Sequence, residues 1–342
     1  MNILVQPPGL SLENTGDEAM MLTLEHHLTK RNMKYSIFTN TKENRNSLDI
    51  SNYDMFIWFG VDVFAYYSVS HVKDIISNFI KNNKKVLIFN LSWGYDANNG
   101  NYLKSISNNK NIYFACRDHY SYNILNETYT FANKPYLTSD IVFAINKINI
   151  NKELFSNELT TLMSNLKKIN NKIIVINIHE DFNENNKNVL DKINSFIEKN
   201  NEYTFIFLGH VRNKKEVDYM KNSIKKTSNM FFPDYLSTEE ELYLFDNINI
   251  ECVITGRMHL AILSLVSKIY TICISYNGIK SIGTFNHFDL ERCVISPDNM
   301  DLIEEQFSEQ NIQLGRRKIN ENYDTVIKKS LILYDIISEH LI

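Results

Sequence analysis

The chain has 342 residues, 44% of them hydrophobic and 22% charged, which is the composition of an ordinary globular protein with length for about two domains. Its 36 basic residues against 40 acidic ones give a formal charge of −4, and lysine pairs such as Lys167-Lys168 read as solvated helix faces. With no sustained basic stripe to displace phosphate counterions, nucleic acid is excluded as the main partner.

The start, "MNILVQPPGL", has neither the charged n-region nor the long apolar h-region of a signal peptide, and no apolar run reaches about 18 residues. The expectation is a cytoplasmic protein with at most peripheral membrane contact. Short apolar runs then follow one another: "NILVQ" at 2, "YSIFT" at 35, "MFIWF" at 55, "KVLIFN" at 85 and "IYFAC" at 112. They alternate with helix-like segments at spacings of about 20 to 30 residues, the βαβ signature of a parallel sheet. A second series runs through "IIVINI" at 173, "YTFIFL" at 203, "MFF" at 230, "CVIT" at 252 and "IYTICIS" at 269.

The expected fold is therefore α/β, two Rossmann-like domains with mainly parallel sheets facing across a cleft. The boundary is placed near 146 to 152, where "NKINININK" has neither helix nor strand period, giving domains of 1–150 and 151–342. A last helical segment, Arg316 to Leu341, can pack on either domain. The cysteines at 116, 252, 273 and 293 are too widely spaced for a zinc site. Three of them lie in apolar strand-like runs, so they read as buried free thiols in a reducing compartment.

Ligands of such folds bind at the carboxyl ends of the strands, so polar clusters there are the candidates. In "ENTGDEAMMLTLEHHL", Asn14, Gly16 and Asp17 read as a loop before a helix from Ala19, with Asp17 either its N-cap or a proton acceptor. In "FACRDHYSYNIL", Arg117 leaves the end of a buried strand and can grip a carboxylate or phosphate, while Asp118 caps the next helix. In "ECVITGRMHLAILSLVSKIY", Cys252 to Thr255 reads as a strand, Gly256 as a turn and Met258 to Val266 as a buried helix.

Arg257 and His259 thus stand in a helical first turn, where a cation costs about 0.3 to 1 kcal/mol against the helix dipole. A bound anion held by backbone N–H groups, Arg257 and His259 would remove that conflict. Tyr276 and Lys280 follow the next strand, and Lys280 would add a further cation. Gly209-His210 and His179 also follow strands but read as solvated loop histidines. No dinucleotide, P-loop, esterase or Asp-x-Asp signature is present, which leaves an anion site without a metal.

Four stretches carry a resemblance. "ENTGDEAM" is similar to an Asn-x-Gly-Asp-x-Ala opening, "CRDHYS" to an Arg-Asp/Glu-x-x-Ser element, and "SDIVF" at 139 also fits; "TGRMHLAILSLVSKIYTICISYNGIKSIG" matches Gly-Arg-x-His, helix, strand, Ser-Tyr and lysine. Together they resemble the polysaccharide pyruvyl transferase family along nearly the whole chain. The resemblance implies a GT-B-like fold and transfer of a pyruvyl group from phosphoenolpyruvate to a sugar as a cyclic ketal. It further implies that Arg117, Arg257 and His259 match positions contacting the donor.

On this reading the donor side is the C-terminal domain, with Gly256, Arg257, His259 and Lys280, and the acceptor side is the N-terminal one. The catalytic candidates are His259, as acid or stabiliser of the leaving phosphate, and Asp17, as base. No cofactor beyond the co-substrate is required. The chain departs from the family at "FGVDVF" and "LSWGYD", which makes Asp62 and Trp93, with Asn14, the acceptor-side candidates. Trp58, Phe64, Tyr66 and Tyr67 offer further faces for sugar stacking. The acceptor, free or lipid-linked, is expected to belong to capsule, exopolysaccharide or cell-wall assembly at the inner face of the membrane. The alternatives are a glycosyltransferase using a nucleotide sugar and a non-catalytic saccharide-binding relative.

Overall fold

The structure, a computed structural model, describes residues 2–8, 14–38, 48–60, 70–92, 97–147, 150–179, 187–212, 214–275 and 278–341. The chain divides into two compact units, one of Met1–Leu12, Met20–Ile145 and Thr325–Ile342, the other of Glu13–Ala19 and Asn146–Asp324.

The first unit holds strands β1 (Asn2–Gln6), β2 (Lys34–Ile37), β3 (Met55–Phe59), β4 (Lys85–Leu91), β5 (Ile112–Cys116) and β6 (Tyr136–Leu137). They form one sheet in the order β2-β1-β3-β4-β5-β6 with every pairing parallel. Helices α1 (Thr15–Lys30), α2 (Ser70–Lys81), α3 (Ala97–Ser107) and α4 (His119–Thr128) connect the strands.

Because helices cover both faces, the central strands are buried along their length, which is why they read as continuous apolar runs. In α2 the apolar residues Val72, Ile75, Ile76 and Phe79 recur at helical spacing and join one core with Phe56, Val86 and Ile88. Phe56 and Phe79 meet at 5.5 Å between ring centroids, and truncating either to alanine is expected to cost about 3 to 5 kcal/mol. Trp58, offered above as a stacking face, packs against this core.

The second unit holds β7 (Ile173–Asn177), β8 (Thr204–Phe207), β9 (Met230–Phe231), β10 (Ile250–Thr255), β11 (Thr271–Ile274) and β12 (Val294–Ile295). Their order is β12-β11-β10-β7-β8-β9, again all parallel. This is the doubly wound Rossmann arrangement, whose strand order reverses between β7 and β10. The helices are α5 (Asn157–Leu166), α6 (Lys187–Lys199), α7 (Lys215–Ser223), α8 (Thr238–Asn247), α9 (Met258–Val266), α10 (Gly278–Asn286), α11 (Leu302–Gln306) and α12 (Glu309–Leu341).

Starts are set by side-chain caps: Asp118 accepts from the Ser121 N–H at α4, and Ser237 forms a capping box with Glu240 at α8. The two-residue strands β6 and β12 were not expected, being too short to carry a period. α12 starts at Glu309 rather than Arg316, and from Thr325 onward it belongs to the first unit. The four cysteines are buried free thiols. Among the described residues no helix is long and apolar enough to cross a membrane.

Candidate functional site

In the second unit the reversal of strand order leaves the carboxyl ends of β7 and β10 side by side. Gly256 N–H donates to the Asn177 carbonyl at 3.0 Å, and the chain then leaves the sheet. The Thr255 hydroxyl accepts the Arg257 N–H at 2.9 Å, which sets Arg257 extended as the N-cap residue of α9. The Arg257 side chain does not itself cap this helix start. First-turn N–H groups and the dipole of a helix start are chemistry suited to an anion.

Arg257 is aimed by Glu216, a fully buried carboxylate on α7. The Arg257 Nε donates to Glu216 Oε1 at 2.5 Å, and Nη2 pairs with the same oxygen. Glu216 Oε2 meanwhile accepts the His210 N–H at 2.7 Å and the Asn177 amide at 3.2 Å. One carboxylate thus ties together the chain leaving β7, β8 and β10, and leaves the Arg257 side chain 24% exposed. Charge-assisted bonds of this kind hold a guanidinium in one orientation.

The segment Glu13–Ala19 belongs to this unit. Asn14 forms an antiparallel bridge with Val211, Thr15 N–H donates to the His210 carbonyl at 3.1 Å, and the Thr238 hydroxyl donates to the Thr15 carbonyl at 3.0 Å. Glu18 Oε2 accepts from Thr238 N–H at 3.0 Å and from the Tyr235 hydroxyl at 3.3 Å, and its Oε1 pairs with Arg212 at 2.8 Å.

α1 starts at Thr15, not at Ala19, and its cap is Asn14 rather than Asp17. The Asn14 carbonyl oxygen accepts the Asp17 N–H at 2.8 Å, while its amide donates to Asp17 Oδ2 at 2.6 Å. Asn14 wins because a cap must lie outside the helix, and Asp17 is already within the first turn. Gly16 is pressed on His259: a Cβ there would lie 2.3 Å from Nδ1 and 2.6 Å from Cγ. The Asn-x-Gly-Asp opening therefore consists of a cap, a gap that admits the imidazole, and a carboxylate one residue away.

His210 corrects an expectation. It is buried, 2% exposed, rather than a solvated loop histidine, because the Glu13–Ala19 segment is bonded to its backbone. Its Nδ1 lies 3.6 Å from Oε1 of Glu241, a fully buried residue of α8. Burial pushes the imidazole well below its ordinary value, reinforced by Arg257, His259 and His179. Burial also pushes the Glu241 carboxyl well above its own, reinforced by Glu18, Glu216 and Glu240.

Lys280 stands in the first turn of α10, where burial pushes its ammonium down to about 8. Arg117 is in the first unit, and its guanidinium is engaged internally: Nη1 pairs with Asp140 at 2.9 Å and Nε donates to Ser92 at 2.5 Å. Asn90 supports Asp140 at 3.1 Å. Gly60, at the end of β3, has φ of +72°, and a Cβ there would strike Pro8 at 2.4 Å, so the one glycine kept at that departure is required. Asp62 and Trp93, with Phe64, Tyr66, Tyr67 and Tyr276, lie outside the described residues. Sequence reasoning did not find Glu216, Glu241, Glu18 or Thr238. Among the described residues no cluster of His, Cys, Asp and Glu is arranged to hold a metal ion.

Solved structures share this two-domain α/β fold. The UDP-GlcNAc 2-epimerase of Neisseria meningitidis, bound to UDP-GlcNAc, matches with a TM-score of 0.68 at 13% identity, covering 99% of this chain and 100% of that one. The UDP-GlcNAc 2-epimerase of Methanocaldococcus jannaschii matches at 0.59 and 13%, covering 99% of each. Anabaena HepE, in complex with UDP, matches at 0.60 and 10%, covering 99% of this chain and 100% of that one. At such identities the likeness is one of fold, and it fits the two α/β domains expected from the strand pattern and the GT-B-like class that the resemblance implies. Among curated proteins none matches the sequence. The profile of the polysaccharide pyruvyl transferase family matches residues 14–278, from the capping Asn14 to the first residue of α10, and the chain belongs to that family.

Proposed function

We propose that the protein is a phosphoenolpyruvate-dependent transferase that moves a pyruvyl group onto a saccharide and closes it as a cyclic ketal. The observation that carries this reading is the start of α9, which the N-cap Arg257 does not cap with its side chain, with Arg257 aimed by Glu216 and His259 held against Gly16. A small dianion suits such a compact arrangement. The phosphate or carboxylate of the donor would take the α9 N–H groups and Arg257, and Lys280 would add a cation from α10.

In the proposed reaction His259 gives a proton to the donor's methylene carbon, and a sugar hydroxyl bonds to the adjacent carbon as Asp17 accepts its proton. A second hydroxyl then bonds to that carbon, phosphate leaves with its bridging oxygen, and the second hydroxyl's proton goes to the departing phosphate. Two hydroxyl protons are thus balanced by one new C–H bond and one protonated phosphate. No step needs a metal. Arg117, oriented by its pair with Asp140, keeps its place among the proposed donor-binding residues. Asn14, Asp62 and Trp93 are the proposed acceptor-side residues, for a free or lipid-linked saccharide. The buried thiols fit a reducing, cytoplasmic setting.

The test is a thermal-shift titration of the wild type and Arg257→Ala with phosphoenolpyruvate and, separately, with UDP-sugars. A ligand that binds only the folded state raises the melting temperature. Stabilisation by phosphoenolpyruvate that Arg257→Ala loses supports the reading. Stabilisation by a UDP-sugar instead would assign the site to nucleotide-sugar chemistry.

A further inference from the structure

His210, whose N–H shares the Glu216 carboxylate with Arg257, and Glu241 have their side chains unsatisfied. Neither ring nitrogen of His210 and neither carboxyl oxygen of Glu241 has a hydrogen-bond partner among the described residues. Both side chains are sealed from solvent, 3% and 0% exposed. The surrounding backbone is by contrast fully employed: His210 N–H serves Glu216, and its carbonyl accepts from Thr15. The chain is pinned while two ionisable groups are left 3.6 Å apart, inside ion-pair reach and outside hydrogen-bond reach.

A buried pair of this kind is poor packing, because apolar residues of equal size would do as well or better. Buried polar groups without partners call for a reason, and functional sites are where such violations collect. The charges around the pair supply one. Facing His210 are Arg257 and His259 from the β10–α9 turn and His179 after β7, all opposing a proton on the imidazole. Facing Glu241 are Glu18 from α1, Glu216 from α7 and Glu240 from α8, all opposing a carboxylate. Burial first, and these charges second, hold both groups toward their neutral forms, so the pair carries one proton.

We infer that His210 and Glu241 are a one-proton pair that sets the charge of the Arg257–His259 site: Glu241 holds the proton while the site is empty and passes it to His210 when a dianion binds. The inference rests on reading that site as an anion holder. An anion beside Arg257 and His259 offsets the positive field that, in addition to burial, opposes a proton on His210. The O–H bond of Glu241 breaks and leaves its electron pair on the carboxylate, and the lone pair of His210 Nδ1 takes the proton. Nothing is exchanged with solvent. The site gains a cation only when an anion is there to match it, and His210 acts as a positioning residue through its charge.

The experiment is calorimetric titration of the full chain between pH 6 and 8, in buffers of different ionisation enthalpy. The probes are sulfate, whose charge does not change in that range, and phosphoenolpyruvate. Glu241→Gln removes the internal proton source and keeps the shape, so His210 must then draw its proton from water. The variant is expected to take up as much as one more proton per sulfate than the wild type. Its Kd should rise about tenfold per pH unit relative to the wild type, the signature of a single linked proton. Any proton taken up by His259 is common to both and cancels. His210→Gln should bind sulfate more weakly at every pH with the wild-type proton count, and 15N spectra of the wild-type histidines should show His210 turning from neutral to doubly protonated on sulfate addition.

Equal proton counts in wild type and Glu241→Gln, or a His210 ring that stays neutral, overturn the pair. If Glu241→Gln does not fold, the wild-type 15N spectrum decides alone. If the folded wild type binds neither sulfate nor phosphoenolpyruvate, the anion-site reading falls and takes the pair with it. If sulfate gives every expected signature and phosphoenolpyruvate does not compete, the pair stands and the pyruvyl donor falls.

Discussion

Replacing Gly16 with alanine puts a methyl carbon 2.3 Å from Nδ1 of His259, where ordinary contact begins at 3.4 Å. Either the imidazole or the first turn of α1 must therefore move by about 1 Å. That turn is bonded at Thr15 and Glu18 to His210, Thr238, Tyr235 and Arg212, so His259 is the part that yields, its ring together with the first turn of α9 that carries its Cβ, 2.7 Å from the new methyl. Overpacking of this kind costs about 1 to 3 kcal/mol, and the better helix propensity of alanine returns about 1 kcal/mol. The net loss is about 0 to 2 kcal/mol, a fall in melting temperature of at most about 8 °C.

The effect on the donor should be larger. Displacing His259 forfeits a charge-assisted hydrogen bond, about 1.5 to 3 kcal/mol, which weakens phosphoenolpyruvate about 10- to 100-fold by calorimetry. The decisive comparison is the double variant Gly16→Ala with His259→Gly, because an alanine at 259 would keep the Cβ that stands 2.7 Å from the new methyl. With the ring and its Cβ gone the methyl has room, so the double variant should melt no lower than His259→Gly alone. A penalty for Gly16→Ala that persists without the imidazole, or unchanged donor affinity in the single variant, refutes the reasoning.

Other outcomes follow from the same contacts. Glu216→Gln leaves Arg257 without its counter-ion and should destabilise the second unit by about 3 kcal/mol in chemical denaturation. Arg257→Lys should not restore donor binding, because a lysine cannot supply both Nε and Nη2. In the first unit, Arg117→Ala strands the buried Asp140 carboxylate and should cost about 3 to 5 kcal/mol, much of which Asp140→Asn recovers in the double variant. Lys280, pushed down to about 8, binds its proton less tightly folded than unfolded. The unfolded chain holds more protons between that value and about 10.4, so this lysine's contribution to stability rises with pH across the window. Donor affinity moves the other way, falling as pH passes about 8, and Lys280→Gln should flatten that fall; an unaltered profile would remove Lys280 from the donor site.

Strands such as Met55–Phe59 and Ile173–Asn177 were legible because burial on both faces imposes a continuous apolar run on the sequence itself. The Gly256 to His259 turn was legible because a cation at a helix start conflicts with a purely local rule. Tyr136–Leu137 and Val294–Ile295 were not, since two residues carry no period. Glu216 was missed because it sits among charged neighbours in "RNKKEVDY", and the Arg257 that explains it lies 41 residues on. His210 was misread for a related reason. What covers it comes from the opening of the chain, 195 residues earlier, and no local pattern announces that return.

The assignment of Glu13–Ala19 to the second unit bears on how such proteins can be rearranged. A gene fragment encoding only Asn146–Asp324 would lack seven residues of its own folding unit, and would expose Arg212, Tyr235 and Thr238 where Glu18 and Thr15 had been. Recombination that exchanges one carboxyl-terminal half for another would pair a foreign strand-end surface with this chain's opening segment. Shuffling of domains between relatives should therefore succeed only when the opening motif travels with the distant half, so the two stretches are expected to descend together.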